Sequence, residues 1–204
     1  GQIAESVPTL EHAVELCESC GNLHDAAGAY AILAWAHLLT GNTDLVPFYR
    51  DKALEKIQES FHPVWYSFAR GAAVLSYAWS GRWEDAINEG ELAIAEGRAR
   101  SDSAIVSFSA GWVAHAYMHK RDWRRAQEYA DASFREAPTG YFQGFPQASL
   151  ARIACETGEV QRGIETLAQI EQMAYASGHR PAWGVFLAML SEGYIIAQDW
   201  EQAS

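Results

Sequence analysis

Basic residues, cysteine, proline and long apolar runs are all scarce in this chain. Fifteen lysines and arginines stand against 26 aspartates and glutamates, for a formal charge of −11, so there is no basic stripe of the kind a nucleic-acid surface needs. Three cysteines in 204 residues are too few for a disulfide framework, which points to a reducing, cytoplasmic setting. No apolar run approaches the ~18 residues that span a bilayer, and no basic-then-apolar leader opens the chain. With six prolines and no low-complexity stretch, no internal boundary is expected, and 1–204 reads as a single domain. It opens at Gly1 and closes at Trp200–Ser204, where a helix should be starting, so both ends read as cut from something longer.

Catalytic patterns are missing too. There is no phosphate-binding loop of the form G-x-x-x-x-G-K-[ST] and no Ser-His-Asp or Cys-His-Asn set, so the chain is not expected to be an enzyme or to carry a cofactor. Sustained alternation of apolar and polar residues is also absent, which argues against a sheet.

What is present is a repeat. Residues 73–93 read as two amphipathic helices joined at Ser80-Gly81-Arg82. Trp83-x-x-Ala86 returns as Trp123-x-x-Ala126, 40 residues on, and again as Trp200-x-x-Ala203. Val160-x-x-Gly163 is a degraded copy between them. A period of this size marks a helical repeat array. Helices are expected over about 4–20, 25–40, 45–60, 64–80, 83–98, 104–120, 123–136, 145–157, 160–176 and 182–198. They group into repeats 25–60, 64–98, 104–138 and 145–178 and a truncated fifth, 182–204. The expected fold is all-α, a right-handed solenoid of antiparallel hairpins. Ala34, Ala114 and Ala151, with Val74 and Ser191 in the other two copies, should let the helices approach. Tyr77, Tyr117 and Tyr194 should fill the gap to the neighbouring repeat. The Trp after each turn should wedge into its own pair, with Ala86, Ala126 and Ala203 admitting the second helix.

Small-x-x-Tyr, a short turn, then Trp-x-x-Ala, with Pro138 closing one copy, resembles the tetratricopeptide repeat, drawn out beyond its usual period of about 34 residues. More narrowly, Leu10–Leu16, Ala34–His37 and Gly158–Ile164 resemble the repeat tail of class III adenylate/guanylate cyclases with a central AAA-type ATPase. That resemblance implies a bacterial regulatory tail without catalytic residues, bound to a protein or peptide partner or to its parent's own catalytic domains.

A tetratricopeptide superhelix implies a concave groove lined by the first helix of each pair. By register the groove residues are Trp35 and Leu39; Phe68, Leu75 and Trp79; Phe108, His115, Met118 and His119; Arg152 and Glu156; and Glu192. The N-terminal half is apolar and aromatic, while the C-terminal half gains His, Arg and Glu, which suits an apolar peptide or helix with polar selection at one end. Two alternatives use the same face: a homodimer that mates it with a second copy, and a small-molecule sensor with an inducer in the aromatic part.

Two metal-like spacings fall short. Cys17-x-x-Cys20 with His24 lacks the second Cys pair of a structural zinc site. His115 and His119 sit at i and i+4, but the zincin pattern needs Glu at 116, which is Ala116. No metal site is expected, and these histidines read instead as groove donors that respond to mild acid.

Overall fold

The computed structural model describes residues 2–138, 140–178 and 180–203. They form ten α-helices and no strand: α1 (Gln2–Ser19), α2 (Leu23–Leu39), α3 (Val46–Glu59), α4 (Pro63–Trp79), α5 (Trp83–Ala99), α6 (Ser103–His119), α7 (Trp123–Glu136), α8 (Gly140–Thr157), α9 (Val160–Ala176) and α10 (Arg180–Ile196). A 3-10 turn, Thr43–Leu45, leads into α3.

The joints explain the period. Asn22, Asn42, Arg82, Asp102, Asp122, Glu159 and Asp199 each donate a backbone N–H to the carbonyl five residues earlier, at 2.8–3.1 Å. The residue before each has a left-handed backbone, from φ 55° at Ser101 to 108° at Gly158. This is the Schellman ending of a helix. Its last residue then starts the next helix: Asn22, Asp102 and Asp122 accept from backbone N–H groups two or three residues on, satisfying donors that a helix start leaves bare. A helix of 17 residues, as in α2, α4, α5, α6, α9 and α10, plus a joint of three, makes 20 residues. Two such units give the 40-residue step.

Even-numbered helices form an inner row in which α2 packs on α4, α4 on α6, α6 on α8, and α8 on α10. Each odd-numbered helix lies outside, against its neighbours in sequence. Helices α2, α4 and α6 are buried on nearly every side, as their all-round apolar sequence requires. Outer α7 buries Ala126, Ala130 and Ser133 along one stripe. One apolar core runs from Ala34 in α2 to Leu190 in α10, so every repeat hides its faces against the next.

Glycine sets the spacing within the inner row. A Cβ on Gly71 would lie 2.6 Å from Trp112 Nε1, and one on Gly28 would lie 2.8 Å from the Trp65 ring. In both cases the missing side chain of one inner helix is a socket for an indole of the next.

Several expectations are corrected. Trp83 is 39% exposed and Trp200 65% exposed, so neither is a core wedge. Trp83 opens its helix beside the turn, where one side faces solvent. The fully buried residues at these joints are Ala86 and Ala126. The stretch from Trp200 to Ala203 forms turns rather than a helix. Tyr117 stacks on Tyr129 of its own pair and accepts from Arg125 at 2.9 Å. Helix α8 starts at Gly140, not near 145, and carries Pro146 inside it.

Candidate binding cleft

A cleft of about 710 Å³ opens on the inner row. It brings together eight of the twelve groove residues: Leu39, Trp79, His115, Met118, His119, Arg152, Glu156 and Glu192. They come from the C-terminal parts of α2, α4, α6, α8 and α10, which the packing of the inner row sets around one hollow. Ile3, Arg121, Trp123, Val185 and Met189 complete the wall, along with Gly184 and Ala188. Nothing in the sequence placed Ile3 or Trp123 in a groove, because both belong to outer helices and reach the cleft only at their ends.

The other four groove residues lie elsewhere. Leu75 is 1% exposed, inside the core, because its helix is packed on both sides there. Trp35, Phe68 and Phe108 form a half-buried aromatic strip, with ring centroids 5.9 Å apart for both Trp35–Phe68 and Phe68–Phe108. Trp35 Nε1 donates to the Phe68 carbonyl at 2.8 Å. Trp112 joins the strip at 5.5 Å from Trp35 and 4.3 Å from Phe145. Phe145 lies 5.9 Å from His115, which ties the strip to the cleft floor.

His115 is 9% exposed. Trp79 Nε1 donates to its Nε2 over a long 3.4 Å, and His119 Nε2 lies 3.1 Å from the same atom. An indole can only donate, so His115 Nε2 is an acceptor and its proton sits on Nδ1. His119 therefore donates through Nε2 and keeps a lone pair on Nδ1. His115 Nδ1 is buried without a protein partner. Burial, then His119 and Arg152 nearby, push the pKa of His115 down to about 3. Burial also lowers His119, opposed by Glu192 and assisted by Arg152. For His115 the expected response to mild acid is thereby corrected: its ring stays neutral through that range.

Arg152 anchors the polar end. Its Nε donates to Glu192 at 2.7 Å and its Nη2 to Glu156 at 3.0 Å, which links α8 to α10. Among the described residues no three metal-ligating side chains converge. Cys17 and Cys20 are free thiols, and burial raises the Cys17 pKa, which opposes the thiolate form. No helix of the described residues is long and apolar enough to cross a membrane.

No family model matches the sequence, and no curated protein matches it. Solved structures do match. BtubC (BKLC) from P. vanneervenii aligns with all of this chain and 87% of its own, at TM-score 0.69 and 14% identity. The apo form of the quorum sensor NprR from B. thuringiensis aligns over 99% of this chain and 68% of its own, at 0.61 and 12%. A Podosopora anserina putative kinesin light chain with nearly identical TPR-like repeats aligns over 86% and 88%, at 0.51 and 17%. At these identities the likeness is one of fold: an all-α, tetratricopeptide-like solenoid.

Proposed function

We propose that this array is a non-catalytic scaffold that takes a peptide segment of a protein partner in its inner cleft. The observation that carries this is the cleft itself. Residues from all five inner helices meet around it, and its size lies within the range of ligand sites. It joins apolar walls at Leu39, Trp79, Met118 and Val185 to a polar end at His119, Arg152, Glu156 and Glu192. A peptide offers side chains for the first and backbone donors and acceptors for the second. The likeness to a quorum sensor supports a sensing role for the fold. The resemblance to cyclase repeat tails supports a place in a larger cytoplasmic signalling protein, whose own domains would then be partners.

Selection of phage-displayed random peptides on wild type and on Trp79→Ala tests this. Trp79 is 44% exposed, so the variant should fold. Enrichment on wild type that Trp79→Ala loses, with melting temperatures within a few degrees, is the expected result. No enrichment on wild type refutes the scaffold reading. A concentration series by light scattering addresses the homodimer, and a ligand-induced rise in melting temperature with small molecules alone would favour the sensor.

A further inference from the structure

Accessibility decides which charge the cleft can recognise. The lining charges cancel: Arg121 and Arg152 face Glu156 and Glu192. Arg152, however, is spent. Its side chain is 12% exposed, two of its nitrogens are held by the two glutamates, and the third, Nη1, is buried away from any ligand. The glutamates are not spent, since the side chain of Glu192 is 51% exposed and that of Glu156 22%. His119, confined to donating through Nε2 by the long contact between Trp79 and His115, keeps Nδ1 as an acceptor. Two indoles, Trp79 and Trp123, stand in the same wall.

Apart from the exposed Arg121, a ligand therefore meets carboxylate and imidazole acceptors beside aromatic faces, in a protein of charge −11. That combination fits a cation: carboxylates pair with it, indole faces attract it, and the net charge steers it inward. Resting on the peptide-scaffold reading, we infer that the segment bound here carries a lysine or arginine flanked by apolar residues. Its cationic head sits against Glu192 and Glu156, and its aliphatic stem lies along Trp79 or Trp123.

The same displayed-peptide selection separates the two readings. The sequences enriched on wild type are compared with those enriched on Glu192→Gln and on Glu156→Gln. Lysine or arginine should recur at a fixed offset from an apolar residue on wild type, and that preference should fade on the variants. The best enriched peptide, synthesised, should bind Glu192→Gln about two- to five-fold more weakly than wild type, as a partly exposed ion pair allows. It should also weaken with added salt, and bind more tightly to Arg121→Gln. Enriched peptides that are acidic or uncharged, or an affinity indifferent to Glu192→Gln and Glu156→Gln, overturn this inference and leave the scaffold reading standing. The absence of any enriched peptide overturns both.

Discussion

Glu89 in α5 should be the most costly charged residue to remove. It is 8% exposed. One oxygen accepts from Arg70 of α4 at 2.7 Å and the other from Arg50 of α3 at 3.0 Å, so a single carboxylate ties three successive helices. The arginine side chains are 14% and 18% exposed. Breaking a buried pair costs about 3–5 kcal/mol, chiefly because the surviving charge is left unpaired. Here two cations survive, but Arg50 retains Asp51 at 2.8 Å and both reach some water, so Glu89→Ala should cost about 3 kcal/mol, at the lower end. At 2–4 °C per kcal/mol for a chain of this size, the melting temperature should fall by about 6–12 °C. Calorimetry beside Asp51→Ala, which removes only an exposed partner worth about 1 kcal/mol or less, isolates the buried contribution. If Glu89→Ala melts within about 2 °C of wild type, the triad does not hold these helices and the reasoning fails. A triple replacement, Arg50→Met with Arg70→Leu and Glu89→Leu, should recover most of the loss, since an apolar substitute for a buried ion group is often neutral.

Gly71→Ala should destabilise by about 1–3 kcal/mol, because the new Cβ meets Trp112 in a packed core. Gly184→Ala, in helix α10 with open space around it, should instead stabilise by up to about 1 kcal/mol; denaturant titrations compare the two. Ser101→Gly should add about 1 kcal/mol, by relieving a non-glycine residue of its left-handed backbone, and an unchanged midpoint would argue against strain there. Trp83→Ala should cost much less than Trp112→Ala, about 3–5 kcal/mol for the latter, because Trp112 is 8% exposed and Trp83 39%; chemical denaturation ranks them. For pH, His115 is neutral when folded down to about 3 and takes a proton when unfolded below 6.5. Stability is therefore full above 6.5 and falls as the solution is acidified, by about 1.4 kcal/mol per pH unit for this group. Between pH 6.5 and 5, His115→Leu should flatten that slope, and a slope identical to wild type would refute the buried neutral ring.

The repeat and its helices were legible because one turn chemistry recurs. Gly41-Asn42 and Gly81-Arg82 announce a left-handed residue at a fixed place. Ser101 and Arg121 fill the same place without glycine, and there the sequence offers less to read. The tryptophans misled for a physical reason. Large size predicts burial only on average, and a residue opening a helix beside a turn has an open flank. Trp112 in the core and the partly buried Trp65 each face a glycine more than 35 residues away, a pairing that no local pattern reports. For the groove, the register carried over from the tetratricopeptide resemblance picked residues of the inner row of helices but did not rank their depth along it. Leu75 and His115 share a face in register, yet one ends in the core and the other on the floor of the cleft.

The inner row has a mechanical consequence. Its helices touch in series, and the cleft draws on the first of them and the last, with Leu39 on α2 and Glu192 on α10. Its width is thus a sum over four junctions, as the length of a coil is a sum over its turns. A small rotation at each would add to the next and change the distance between these two walls. A partner gripped at both walls would feel that compliance and set the pitch of the whole coil, carrying the news of its arrival to both ends of the chain.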